Sequence, residues 1–202
     1  MQAFDAAINF GDSPLILNKL PALALVAALA CGTAGAWAQK VKLATSLGDI
    51  TVELDAEKAP KTVDNFLQYV KAGHYDATVF HRVIDGFMIQ GGGYKQDLQQ
   101  KPTRPPIPLE SRNGLTNARG TIAMARTGIP DSATSQFFIN VNDNTALDQA
   151  NSRDGHGYAV FGKVVGVMDV VEKIKALPTQ AVGPHQNMPV TPVLILKASV
   201  EK

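Results

Sequence analysis

The sequence predicts a mainly β fold, an antiparallel barrel with two helices over its ends. Strand-like runs recur at 41–47, 50–54, 78–84, 87–90, 121–126, 136–141, 158–165 and 192–200, set apart by clusters of Gly, Pro, Asn and Asp. Helical spacing of apolar residues occurs only twice, over 60–73 and roughly 167–176. Strands that follow one another with so few helices between them cannot form parallel crossovers, so they pair antiparallel.

The first 38 residues stand outside this pattern. Lys19 precedes the uncharged run Leu20 to Ala30, and Ala36-Trp37-Ala38 gives the small-x-small pattern of a cleavage site. This reads as a secretory signal cut after Ala38. Its apolar core is shorter than the ~20 residues a membrane span needs. Asp5 and Asp12 are foreign to a positive leader and mark 1–18 as an atypical N-terminal extension. Cys31, the only cysteine, lies inside the signal, with Ala28 where a lipoprotein site prefers Leu. Residues 39–202 then form one domain without cysteine, so its core rather than disulfides must stabilise it.

Within that domain, 41–47 and 50–54 alternate at period two around Gly48-Asp49, which reads as a two-residue hairpin turn. Val63, Phe66, Leu67 and Val70 fall on one helical face, with Pro60 near the start and Gly73 at the end. Val167, Val170, Val171 and Ile174 repeat that spacing. The polar, Pro-rich stretch 94–120 reads as a long loop, and loops of that length in compact domains are often functional.

Composition removes several chemistries. Lys plus Arg is 19 against 18 Asp plus Glu, without basic runs, so nucleic acid is not a partner. None of His74, His81, His156 and His185 forms an i, i+4 pair flanking Glu, and there is no G-x-S-x-G elbow. Gly91-Gly92-Gly93 has no Lys-Ser/Thr after it, so it is a strand end needing free dihedrals rather than a phosphate loop. What remains is the run Phe80–Gly93, which places Arg82, Phe87, Met88 and Gln90 close together, and Ser135–Asn140, which adds a similar mix. Taken singly, Arg82 reads as a solvated strand residue and Phe87, Met88 and Phe138 as core. Together they suggest a pocket that grips something apolar while a guanidinium reaches a polar atom beside it.

Phe80–Gly93, Gly120–Arg126, Ser135–Asn140 and Tyr158–Val164, in this order, resemble a cyclophilin. The resemblance covers nearly all of 41–200 and is closest to the periplasmic type of Gram-negative bacteria. It implies an eight-stranded antiparallel closed β-barrel capped by two α-helices. The implied activity is cis–trans isomerisation of peptide bonds before proline, without a cofactor or metal. The implied partners are proline-containing unfolded or flexible polypeptides. A monomer in the periplasm, free of the membrane once the signal is cut, is the expected form.

By the same resemblance Arg82 is the essential arginine, Gln90 the amide that orients it, and Phe87, Met88 and Phe138 the pocket for the proline ring. Leu147 adds a wall. Gln136 and the backbone around Ala125, Arg126 and Thr127 form the rim, with Tyr158 and His81 also at substrate-binding positions. Strand alternation alone turns His81 away from the Arg82 face, as a hydrogen-bonded structural residue. The sequence departs from the family at Ala146, where a tryptophan or phenylalanine is usual. That tryptophan helps bind cyclosporin, so weak drug binding and a more open rim are expected. Tyr158 replaces a histidine, Arg126 an asparagine and Asp85 a proline. A peptide-binding or chaperone module with weak isomerase activity is the alternative; a hydrolase lacks any nucleophile–base pair.

Overall fold

The computed structural model describes residues 39–201. The expected signal and extension fall on 1–38 and lie outside the described residues. The elements are β1 (Lys40–Thr45), β2 (Gly48–Leu54), α1 (Pro60–Lys71), β3 (Thr78–Val79), β4 (Arg82–Ile84), β5 (Met88–Gly91), β6 (Thr121–Met124), β7 (Phe137–Asn140), β8 (Val160–Val165), α2 (Asp169–Lys175), β9 (Thr179–Val182), β10 (His185–Pro189) and β11 (Leu194–Val200). A 3-10 turn spans Thr145–Leu147.

The main sheet runs β3-β11-β1-β2-β8-β6-β7-β5-β4, and every ladder in it is antiparallel. The expected count of eight is corrected to nine, because the run 78–84 is broken into β3 and β4 at Phe80-His81. These two pieces lie at opposite ends of the strand order. Its first half pairs with β11 and its second with β5, so the curled sheet is joined through the chain itself rather than by a ladder between its edges. A second sheet, β9-β10, was not expected: its residues are mostly exposed and show no alternation against a core.

The first hairpin turns at Ser46-Leu47, not at Gly48-Asp49. Gly48 pairs with Thr45 instead, and the Thr45 hydroxyl donates to the Gly48 carbonyl (2.6 Å) while accepting from the Leu47 amide (3.1 Å). Gly48 is required for another reason. Its φ is +127°, and a Cβ there would lie 2.8 Å from Val170 on α2.

α1 buries Val63, Phe66, Leu67 and Val70 as the spacing predicts. Its start has no side-chain cap of its own. The Glu110 carboxylate supplies one, accepting from the Lys61 amide (3.2 Å), the Thr62 amide (2.8 Å) and the Thr62 hydroxyl (2.7 Å). An anion there also meets the positive end of the helix dipole. Gly73, at φ +64°, closes the helix: its amide reaches Val70 O and that of His74 reaches Tyr69 O. α2 begins at Asp169, so the expected start at 167 is two residues early and Val167 is exposed. Glu110 lies in the long loop 94–120, as does Ile107, which bridges to Ala133. Much of that loop therefore holds the fold together.

The core fills the inner face of the sheet. Leu43, Ile50, Val52, Val83, Ile89, Ile122, Ile139 and Phe161 belong to one buried cluster with Phe66 of α1 and Ile174 of α2. Burying large apolar side chains of this kind contributes about 1.5–3 kcal/mol each.

Candidate active site

The site is built on the other face of the same strands. Arg82 pairs with Gln90, Gln90 with Phe138, and Phe138 with Ala123, so one register row crosses β4, β5, β7 and β6. Alternation places this row opposite the adjoining row Val83–Ile89–Ile139–Ile122, which belongs to the core. Phe137 and Phe138 thus face opposite sides, and both are buried. Phe138, Met88, Ala123 and Val160 form a second, separate apolar cluster, flanked by Phe87, Ala125, Leu147 and Tyr158. A sheet strand apolar on both faces needs a cover on each; here that cover is this cluster.

Arg82 stands at the edge of the cluster, half-buried. Its Nη1 donates to Gln90 Oε1 at 3.4 Å, and its Cζ lies 5.9 Å from the centroid of the Phe87 ring. Among the described residues it enters no salt bridge. Gln90 in turn donates from Nε2 to Gln136 Oε1 at 2.9 Å, which fixes which end of its amide faces the guanidinium. Gln136 is wedged against Gly93, where a Cβ would come within 2.6 Å of it. Gly92 has φ +84°, and its missing Cβ leaves room for Tyr75 and Phe137. The glycine run thus serves the backbone, as the sequence suggested.

Phe87 follows the left-handed Gly86 (φ +71°) in the turn between β4 and β5. Its carbonyl accepts from the Val141 amide (3.1 Å) and from Asn144 Nδ2 (2.7 Å). Asn144 also donates to Asn140 Oδ1 (2.7 Å). Asn140 Nδ2 reaches Asn117 Oδ1 (3.2 Å) and Thr121 Oγ1 (2.9 Å), and Asn117 Nδ2 reaches Asp148 Oδ1 (2.9 Å). This network ties the 3-10 turn that carries Leu147 to the strand that carries Phe138. Sequence reasoning missed these residues: Asn and Asp beside turns give the same signal whether they cap a turn or hold a pocket.

Gln136, Ala125, Arg126 and Thr127, the expected rim, lie near the apolar cluster. The Ala125 amide donates to Gln136 O (3.0 Å), and Thr127 is exposed beside it. Arg126 is not free: its side chain is 2% exposed and lies over the Tyr158 ring, Cζ to centroid 4.7 Å. Tyr158 meets Phe138 edge-on at 5.7 Å. Ala146 is exposed, leaving the rim beside Leu147 without a large side chain.

His81 packs against Tyr94 and His185, ring centroids 4.8 and 6.0 Å away, rather than against the apolar cluster. Its Nδ1 is buried without a hydrogen-bond partner. Burial, aided by the nearby positive fields of His185 and Arg82, lowers its pKa to about 4.

The arrangement offers a directed cation beside an apolar socket. Residues 40–200 match the family model for cyclophilin type peptidyl-prolyl cis-trans isomerase/CLD. The chain is 56% identical over 162 residues to peptidyl-prolyl cis-trans isomerase A of Dickeya dadantii, covering 80% of this chain and 84% of that one. It is 52% identical over 159 residues to peptidyl-prolyl cis-trans isomerase B of Escherichia coli K12, covering 78% of this chain and 97% of that one. A crystal structure of a Cryptosporidium parvum cyclophilin type peptidyl-prolyl cis-trans isomerase superposes with a TM-score of 0.68 at 26% identity, covering 82% of this chain and 99% of the other. With a family match over most of its length and relatives more than half identical, this chain belongs to the cyclophilin-type peptidyl-prolyl cis-trans isomerases.

Proposed function

We propose that the cluster around Phe138 holds a proline ring and that Arg82 drives rotation of the peptide bond preceding it, in exported polypeptides that are still folding. The observation that carries the reading is Arg82 itself: a guanidinium with one long hydrogen bond and no salt bridge among the described residues, at the edge of a buried apolar socket. Its donors are available to a substrate.

Rotation about a peptide bond faces a barrier of about 18–20 kcal/mol because resonance gives the C–N bond double-bond character. No covalent bond to the enzyme is needed. As the bond twists, resonance is lost and the proline nitrogen becomes pyramidal and basic. A cation that hydrogen-bonds this nitrogen favours the twisted state over both planar ones, which is the differential binding that catalysis requires. Arginine suits the task because it stays protonated at every working pH and aims its donors in a fixed plane. Gln90 holds that plane, and Met88, Phe87, Phe138 and Leu147 hold the ring. A relative from Cryptosporidium parvum has been crystallised in the presence of the dipeptide Ala-Pro, which suits a socket of this kind.

Arg82→Ala should lower kcat/KM on a proline peptide in a protease-coupled assay by roughly 100-fold, the scale of losing one preorganised donor at the transition state. Its far-UV circular dichroism and unfolding midpoint should stay as in the wild type. Unchanged turnover refutes the role of Arg82. The exposed Ala146 favours a second reading, a peptide-binding chaperone with an open groove. Equal suppression of aggregation by wild type and Arg82→Ala would support it. The run Leu20–Ala30 with Ala36-Trp37-Ala38 supports export to the periplasm. Mass spectrometry of the exported protein should find Gln39 at its N-terminus, and Met1 retained would refute cleavage after Ala38.

A further inference from the structure

Two arginines stand near the apolar socket, and they are opposites. Arg82 has one hydrogen bond, at 3.4 Å. Arg126 has all three guanidinium nitrogens engaged: Nε donates to Gly157 O (2.8 Å), Nη1 to Thr127 O (3.0 Å) and Nη2 to the Asp154 carboxylate. Three of its five N–H donors are taken and its side chain is only 2% exposed, so it is shielded from a substrate. Its flat face instead covers the Tyr158 ring, which meets Phe138 edge-on at the heart of the socket. Tyr158 is also tied to the Leu147 wall, its amide donating to Leu147 O at 3.0 Å. Arg126 leaves the end of β6, whereas Asp154 and Gly157 lie on the loop before β8, so the contact joins two segments across the rim.

We infer that Arg126 is a positioning residue, clamped by Asp154 and Gly157 over Tyr158 so that the Tyr158–Phe138 pair sets the width of the proline socket, and that it does not read the charge of the substrate. The three hydrogen bonds fix the plane of the guanidinium. A fixed cation on the ring face holds the ring, as a flexible ammonium would not. The ring edge then limits how far Phe138 can turn. Socket width acts on the planar and twisted substrate alike, so the clamp shows in KM rather than kcat.

The inference rests on the isomerase reading above. The test measures kcat and KM on three peptides carrying Glu, Ala or Lys two residues before the proline, and separately the dissociation constant of each peptide by NMR titration. Arg126→Gln should raise KM roughly five-fold, the scale of a partly desolvated cation–π contact. The rise should be equal for the three peptides, with kcat kept within about two-fold. Asp154→Asn, at an exposed carboxylate, should act in the same direction and less. Combined with Arg126→Gln it should add nothing, because the two residues act as one unit. A larger loss for the Glu peptide than for the Lys peptide, a loss in kcat alone, or no change in either variant overturns the clamp. If the wild type turns over none of the peptides, the isomerase reading fails, and the dissociation constants still decide the clamp: a rise in Arg126→Gln equal for the three peptides supports it, and an unequal rise or none overturns it.

Discussion

His81 illustrates how one side chain carries two demands. Its backbone precedes Arg82 at the break between β3 and β4, while its ring is buried under Tyr94 and His185 with Nδ1 unpartnered. A ring held this way must stay neutral, and its pKa falls from 6.5 to about 4. The unfolded chain therefore takes up the proton first. Stability is complete above the unfolded value of 6.5, declines as pH drops toward 4, and levels off below it. The whole decline is on the order of 3 kcal/mol at most. His81→Phe, which keeps a flat ring in the stack, should flatten the urea midpoint across that window. A midpoint that still falls as steeply would place the acid sensitivity elsewhere. Residue by residue, Phe87, Met88 and Phe138 read singly as core, and only the resemblance of their motifs to a cyclophilin singled them out as a pocket. The engagement of Arg126 was not legible: the partner carboxylate of Asp154 stands 28 positions along the chain, and no spacing rule reports it.

Among the elements, the 3-10 turn at Thr145–Leu147 is the least self-sufficient. It has no side-chain cap and buries none of its residues fully. Asn144, Asn117 and Asp148 hold it, and Asn144 alone links it to both the Phe87 carbonyl and Asn140. Asn144→Ala should cost about 1–3 kcal/mol in urea unfolding, since it strands polar groups that were paired. It should also lower kcat/KM, because Phe87 and Leu147 lose a shared support; full activity together with the stability loss would make the network purely structural. Helix and strand periodicity located α1 and most strands of the main sheet. Turn chemistry misled at Gly48-Asp49 because Gly48 answers to packing under α2 rather than to the hairpin itself. β9 and β10 escaped notice because their mostly exposed residues give period two nothing to report.

At the scale of the whole molecule, one curled sheet serves two apolar clusters, the core inside and the socket outside. The strands between them are consequently buried on both faces, as β7 is throughout. That explains why a sequence reading by amphipathic stripes takes Phe138 for core until its neighbours are considered together. The sheet also brings the ends of the described chain into contact. β1 and β11 are neighbours, Val41 lies opposite Val200, and the Glu201 amide donates to Lys40 O at 2.8 Å. In the strand order this seam is separated from β7 and β5 by β2, β8 and β6. The order of the polypeptide is thus interchangeable with its ring of strands: a short peptide could weld Glu201 to Gln39, a new opening could be made at the exposed Gly166-Val167, and Arg82 would keep every neighbour it has now.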